Sequence, residues 1–291
     1  MAVISSTKNS SNIIMTEKQA IETAKETLRK ILKENHGSTK DEKAMEAIEQ
    51  LSQLWKTCSI KSVSETAKSA PNSKLVLGDW KIISAPDFPN GTLVESTTKD
   101  GNTCHKFQYT LGRISFNIFQ PKDMLCTIEG IQNFIRNMEQ TDLSKEQQQC
   151  KGIATYNVLI DLMFHTPNGD FPGEIMMEGY CYPESDTRVT VIFTGGELRK
   201  RKSAMQDCDI SKLWEQTFAN AYKKADMERG YVEQLMQYVM KSVLKLEMPT
   251  DDNPRYEMKR VMKGYLDILY LDESFRVTRG NRGSVVVVEK S

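Results

Sequence analysis

The chain has 291 residues, of which 39 are basic and 39 acidic, and hydrophobic residues make up 39% of it. The zero net charge argues against nucleic acid as a partner, because phosphate binding needs a basic face. No stretch approaches the roughly 20 apolar residues of a membrane-spanning helix, so any membrane role would be peripheral. Six cysteines without a Cys-x-x-Cys pair and only three histidines lead us to expect no metal site and no cofactor.

The N-terminal region is predicted to be helical after a short tail. Residues 1–15 are rich in Ser and Asn, and we expect them to be disordered. From Thr16 onward apolar residues recur at helical spacing, interrupted at Gly37, so residues 16–58 are predicted to form a hairpin of two amphipathic helices. Their polar faces mix Glu with Lys, which favours packing on the rest of the protein over lying on a membrane. A linker rich in Ser and Lys is predicted over residues 59–74.

Most of the remaining chain has the signals of short β-strands. They begin at Leu75 and are separated by turn signals every roughly eight to twelve residues. The segment 113–119 alternates apolar and polar side chains, as a half-buried strand does. Helical spacing returns over residues 209–248, and strands predicted over 255–262 and 265–271 begin the last group. The pattern predicts an α+β, mainly β fold: a closed antiparallel barrel, or a sandwich, with an N-terminal helical hairpin and a helical insertion before the last strands.

Two features near the ends of this region favour the barrel. Gly78-Asp79-Trp80 opens the first strand, and Arg276 and Arg279 lie on a strand near the end. In small ligand-binding barrels of the lipocalin kind, an indole fills the closed end and a guanidinium can stack on it. The two arginines are three residues apart, so only one of them can face the interior of a regular strand pair. The alternative for Trp80 is an ordinary core tryptophan.

Asp272 follows an apolar strand and is a further candidate. A carboxylate that faced an apolar cavity would need a partner, either Arg276 or a ligand hydroxyl. The alternative is a turn-initiating Asp in Leu271-Asp272-Glu273-Ser274 that hydrogen-bonds its own backbone.

The densest run of charge is Arg199, Lys200, Arg201 and Lys202. It follows two glycines, so we expect a mobile loop. There it could contact anionic lipid head groups at about 1 kcal/mol per charge, serve as a nuclear localisation patch, or simply be solvated. Cys104 and His105 invite comparison with a catalytic pair, but neighbours on a strand point apart and no third orienting residue is evident. We therefore expect no catalytic residues.

Several of these motifs resemble the PAP/fibrillin family, the plastid lipid-associated proteins. The resemblance covers roughly residues 75–290, and the motifs that carry it are Leu77-Gly78-Asp79-Trp80-Lys81-Ile82, Gly112-Arg113-Ile114-Ser115-Phe116-Asn117 and Leu271-Asp272-Glu273 with Arg276 and Arg279-Gly280. It implies a lipocalin-like barrel that handles lipids and has no active site, with an acidic residue at Asp272 that touches ligand. It also implies a plastid location at thylakoids or plastoglobules. Residues 1–15 contain no convincing transit peptide, and the cytoplasm is the alternative.

The sequence and the resemblance together predict a non-enzymatic binder of lipids, carotenoids, quinones or fatty acyl chains. Trp80, Asp272, Arg276 and Arg279 are the predicted ligand-binding residues, and the run 199–202 is the predicted membrane contact. The first alternative is a structural coat or scaffold protein of membranes or lipid droplets, with a filled barrel. The second is a small hydrolase or isomerase built on the same barrel.

Overall fold

The structure, a computed structural model, describes residues 4–97, 103–139, 143–228, 230–243 and 245–291. The helices are α1 (Ile4–Glu34), α2 (Glu42–Thr57), α3 (Lys61–Lys68), α4 (Leu111–Ile114), α5 (Cys208–Phe218), α6 (Ala221–Met227) and α7 (Tyr231–Val243). The strands are β1 (Gly78–Ile82), β2 (Thr92–Thr97), β3 (Thr103–Thr110), β4 (Leu125–Ile135), β5 (Ala154–Thr155), β6 (Asn157–Thr166), β7 (Gly169–Pro183), β8 (Arg188–Lys200), β9 (Leu246–Glu247), β10 (Arg255–Leu271), β11 (Phe275–Gly280) and β12 (Val285–Lys290).

Eight of the strands close into an antiparallel barrel. Their order is β1-β12-β11-β10-β8-β7-β6-β4, and β4 pairs back with β1. Trp80 stands opposite Lys290 of β12 on one side and opposite Asn133 of β4 on the other, so β1 is the strand that closes the barrel. β2 and β3 form a hairpin that extends from the first residues of β4. The predicted lipocalin-like fold, mainly β with added helices, is confirmed.

One end of the barrel is closed by the segment that leads into β1. It contains two 3-10 turns, Ala70–Asn72 and Lys74–Val76. The first turn contacts β7, β8 and β10 across the barrel end, and the Ala70 amide donates to the Asp186 carbonyl at 3.1 Å. Gly78 then enters β1 with a φ of 128°, a conformation that residues with a Cβ rarely adopt. This crossing segment forms the floor of the barrel.

Aromatic side chains cover the opposite end, where β6 turns into β7. Phe164 and Phe171 pair across these two strands. Trp214 and Phe218 of α5 lie edge-on to them, with ring centroids 5.7 to 6.2 Å apart. Gly173 leaves the necessary room, because a Cβ there would lie 3.0 Å from the Trp214 ring. The first helix of the predicted insertion therefore packs on this end of the barrel.

The N-terminal helices cover the outer face of β10 and β11. Trp55 of α2 packs on Tyr270 with ring centroids 5.7 Å apart, and the Arg29 guanidinium of α1 lies 5.0 Å from the Phe275 ring centroid. Phe275 alternates along β11 with Arg276, so the two side chains leave the strand on opposite faces. The helices thus bury the apolar outer side of the C-terminal strands.

A buried lysine fixes α1 to the barrel. Lys25 is 2% exposed, and its Nζ donates to Asp272 Oδ2 at 2.6 Å. The Tyr270 hydroxyl donates to the same oxygen at 2.6 Å, while Oδ1 accepts the backbone amides of Ser274 and Phe275, both at 2.7 Å. Burial alone would raise the pKa of Asp272, but the hydrogen bonds from Lys25 and Tyr270 outweigh it and hold that pKa below its usual range. Asp272 is therefore the turn-initiating residue of the alternative interpretation, and it also anchors α1.

The prediction of a strand over residues 113–119 is wrong. Phe116 and Asn117 have φ angles of 53° and 60°, so the chain turns after α4 and does not extend. Ile114 and Ile118 are buried on either side of this turn, while Phe116 is 59% exposed. The alternation in the sequence reflects a turn that is anchored at both ends.

The ends of the N-terminal elements also differ from expectation. α1 begins at Ile4, within the segment 1–15 for which we expected disorder, and residues 1–3 lie outside the described residues. No proline or glycine occurs before Gly37, so nothing in the backbone prevents the helix from starting early. Residues 59–74, predicted as a linker, contain α3.

The C-terminal region differs in one strand. β10 is continuous where separate strands were predicted over 255–262 and 265–271. Gly264 pairs with β8 inside the continuous strand, so it is a strand residue and not part of a turn. α5, α6 and α7 occupy the region of the predicted insertion, 209–248. None of the helices in the described part of the chain is long and apolar enough to cross a bilayer.

We predict that Lys25→Met lowers the free energy of unfolding by about 2 kcal/mol at neutral pH, because Asp272 would lose its cation while keeping its other hydrogen bonds. Since the pKa of Asp272 is lowered in the folded protein, its contribution is present above the ordinary value of 3.8 and is lost as pH falls below it. The difference between the variant and the wild type should therefore shrink in acid. Urea unfolding followed by circular dichroism at several pH values measures it.

Lys30→Met is the matched control, because Lys30 lies on the same helix and its side chain is 78% exposed. If both variants lose the same free energy of unfolding, or if the loss in Lys25→Met does not change with pH, the anchoring role of Lys25 would be contradicted.

Candidate ligand site in the barrel interior

Two clusters of buried apolar side chains reach into the barrel. One includes Trp80 at the floor and continues outside the barrel into α1 and α2, and the other includes Phe164 at the end covered by α5. Several apolar side chains at the borders of these clusters are only partly buried: Ile82, Tyr156, Val158, Met177, Phe193 and Leu266. Ile82 contacts both clusters. The middle of the barrel interior is therefore lined by apolar side chains that are only partly buried.

The strand registers place these side chains on the inner face. Trp80 stands opposite Asn133, Asn133 opposite Val158, and Val158 opposite Met177. Directly opposed residues of antiparallel strands point to the same face of the sheet. Val158 and Met177 therefore point into the barrel on the same side as Trp80.

Arg276 is the charged side chain at the floor. It is 4% exposed, and its guanidinium carbon lies 4.7 Å from the Trp80 ring centroid. Its Nη2 donates to Asn133 Oδ1 at 2.8 Å. Asn133 in turn donates to the Asn157 carbonyl at 3.0 Å, which orients the amide with its oxygen toward the guanidinium. The Trp80 indole is fixed by its own bond to the Val76 carbonyl at 2.9 Å.

No described residue supplies a counter-charge for this arginine. Among the residues that the structure describes, no carboxylate lies within ion-pair distance of Arg276, and its Nε is buried without a hydrogen-bond partner. Burial lowers the pKa of Arg276, but arginine starts so far above neutrality that it stays charged. The neighbouring Tyr156 and Cys181 are neutral, because burial raises the pKa of both, that of Cys181 to about 12. The floor therefore carries a net positive charge.

A second cation reaches the same indole from the end of β12. Lys290 Nζ lies 4.5 Å from the Trp80 ring centroid and donates to the Leu77 carbonyl at 2.5 Å. Burial, and then the charge of Arg276, lower the pKa of Lys290. Trp80 thus contacts one cation inside the barrel and one at its outer rim.

The structure brings together two of the four predicted ligand residues. Trp80 and Arg276 meet at the floor, as the lipocalin-like closure requires. Arg279 is exposed, in agreement with the expectation that only one arginine can face inward. Asp272 does not pair with Arg276, one of the two partners that it would need in an apolar cavity, because it binds Lys25 on the helix-covered side of the barrel. Asp272 and Arg279 therefore do not contact Trp80 at the floor.

The predicted membrane contact, residues 199–202, does not form a mobile loop. Arg199 and Lys200 belong to β8, because the strand continues to Lys200 in pairing with β7. Three of the four charges have polar partners: Arg199 Nε and Glu174 Oε1 at 2.6 Å, Lys200 Nζ and Ser211 Oγ at 3.3 Å, and Arg201 Nε and Asp161 Oδ1 at 3.3 Å. Lys202 is exposed. The run therefore offers much less free charge than its sequence suggests.

Two residues of the floor were missed by the sequence analysis. Asn133 lies between Ile131 and Ile135 on the inner face of β4, and a polar residue at an inward position of an apolar strand is a usable signal. Tyr156 lies between β5 and β6 and contacts Phe193 with ring centroids 6.0 Å apart. It lies in a break between strands, where residue spacing gives no orientation.

A separate cavity of about 490 Å³, with both polar and apolar groups in its wall, lies outside the barrel, where α6 and α7 meet β9. Its wall includes Tyr222, Lys241, Glu247 and Asp251. A wall with this much charge does not suit an acyl chain, because lipid sites are mostly apolar. Within the described ranges, no group of three or more His, Cys, Asp or Glu side chains is placed to hold a metal ion.

Comparison with known proteins gives one match. The model of the PAP_fibrillin family matches residues 127–289, which is more than half of the chain. The matched region runs from β4 to β12 and includes Asn133, Tyr156 and Arg276, whereas Trp80 lies before it. No curated protein and no solved structure matches the chain.

We predict that Trp80→Phe lowers the free energy of unfolding by about 2–3 kcal/mol. The change removes the donor to Val76, weakens the stack on Arg276 and leaves unfilled space at the floor. Guanidinium unfolding measures the loss. Trp214→Phe, which changes a partly exposed indole at the other end, is the control, and a loss no larger than that of the control would contradict the closing role of Trp80.

Proposed function

Because the chain belongs to the PAP_fibrillin family, we propose that its barrel binds a lipid or another small hydrophobic molecule, such as a carotenoid, a quinone or a fatty acyl chain, without converting it. The observation that supports this most is the set of apolar side chains that point into the barrel between the floor and the Phe164 end and are only partly buried. Each methylene moved from water into such a space contributes about 0.8 kcal/mol, so a chain of about ten methylenes needs no covalent bond to be held. The proposed compartment is the plastid, at thylakoid membranes or plastoglobules, as is typical of the family.

The interior favours a carrier over the two alternatives. A coat protein with a filled barrel would have its inward side chains fully buried, whereas Val158, Met177 and Phe193 are partly exposed. A hydrolase or isomerase needs a nucleophile or base with a suitable pKa. Cys181 beside Arg276 is a poor nucleophile, because burial raises its pKa to about 12.

We predict that Val158→Trp, which fills the interior, weakens binding of dodecan-1-ol at least tenfold, since it removes space that the chain of this neutral probe would occupy. Equilibrium dialysis against the full-length protein measures the affinity. Leu159→Trp adds the same side chain on the outer face of β6 and should leave the affinity unchanged. Equal effects of the two variants, or no binding by the wild type, would refute a ligand in the barrel.

A membrane surface is the proposed place of loading, and α7 provides the contact. Tyr231, Leu235, Tyr238 and Val239 follow one another at helical spacing and are 44 to 89% exposed. Met227 of α6, 82% exposed, precedes them. An exposed stripe with aromatic and aliphatic side chains suits the interface of a bilayer, where tyrosine is favoured. The stripe supports a peripheral contact better than residues 199–202 do.

We predict that Leu235→Glu reduces binding to phosphatidylcholine vesicles at least fivefold in a flotation assay, because it places a charge in the apolar face. The stability of the protein should hardly change, since the side chain is exposed. Met45→Glu alters an exposed methionine of α2, 52% exposed, and serves as the control. If the Leu235 variant floats as the wild type does and Lys202→Glu loses vesicle binding, the membrane contact would be residues 199–202 and not α7.

A further inference from the structure

The floor of the barrel contains a positive charge that no described residue compensates. Arg276 is 4% exposed, its Nε has no hydrogen-bond partner, and no described carboxylate is within ion-pair distance. Its one polar side-chain partner is the neutral amide of Asn133. A buried cation is costly unless an anion offsets it. The stack on Trp80 reduces this cost but supplies no negative charge.

The Tyr156 hydroxyl is a second donor, close enough to the guanidinium that each group shifts the pKa of the other. Tyr156 is only partly buried, and its hydroxyl has no hydrogen-bond partner among the described residues. Burial raises its pKa, and the positive charge of Arg276 opposes this effect only in part, so the hydroxyl is protonated and available as a donor. The floor therefore presents a cation and a neutral donor and has no acceptor of matching charge.

We propose that this floor binds the carboxylate of an acidic lipid, with Arg276 and Tyr156 as donors and the acyl chain along Val158, Met177 and Phe193. The inference rests on the proposed function, because it names the class of ligand that the barrel takes: a fatty acid or another lipid with a carboxylate end. A carboxylate suits the site better than a phosphate does, because one guanidinium balances its single charge. The apolar end of the molecule then lies toward the aromatic cluster of Phe164.

The decisive experiment compares two probes of equal length that differ only in their head group. Dodecanoate and dodecan-1-ol are titrated into the full-length protein at neutral pH, and the affinities are measured by equilibrium dialysis. The acid should bind about tenfold more tightly or better, as expected for hydrogen bonds to a charged group. Equal affinities would overturn the head-group assignment while leaving a neutral carrier, and failure of both probes to bind would overturn the proposed function itself.

Three variants assign the preference to the floor. Arg276→Met should abolish the preference for the acid, and Arg279→Met, which removes the exposed arginine of the same strand, should retain it. If Arg276→Met does not fold, Asn133→Asp provides the same test, because it gives Arg276 an internal carboxylate and should also abolish the preference. Persistence of the acid preference in the folded Arg276 or Asn133 variant would overturn the proposal.

Discussion

The contact between Arg276 and Trp80 is the interaction on which the rest of the barrel depends. Trp80 lies on β1, the strand that pairs with both β12 and β4 and so completes the ring. Arg276 lies on β11, two strands away, and reaches Asn133 of β4 across the interior. One guanidinium therefore contacts strands that are not neighbours in sequence. The Trp80 indole also donates a hydrogen bond to the Val76 carbonyl, which connects the floor segment to the same contact.

This closure has a cost that shapes the interior. A guanidinium that stacks on an indole loses its hydrating water. Here the contacts that replace this water are the Asn133 amide oxygen and the face of the Trp80 ring. Among the described residues the remaining donors have no acidic partner, so the proposed ligand would supply the missing negative charge. In the proposed function, the partly buried apolar side chains beyond the floor would contact the chain of that ligand. Structural closure and the proposed ligand selection would then depend on the same side chain.

Local patterns in the sequence predicted the closure of the barrel, but they failed where contacts between distant residues decide the partners of a side chain. Gly78 and Trp80 at the start and the two arginines near the end indicated the floor, and strand alternation limited the inward position to one arginine without deciding between Arg276 and Arg279. The partner of Asp272 could not be predicted, since Lys25 is 247 residues away on a helix whose docking face is unknown from periodicity alone. The mobile loop expected at residues 199–202 was wrong, because Arg199 and Lys200 belong to β8 and the partners of the run lie on neighbouring strands and a helix.

Alternation along β11 links the two sides of the barrel wall. Phe275 points outward to α1, and Arg276 points inward to the floor, so the position of the helix and the position of the guanidinium are set by adjacent residues of one strand. The Lys25–Asp272 contact fixes the turn just before them. The N-terminal helices are therefore more than an appendage. By contacting this turn they help to position the strand that carries the floor cation.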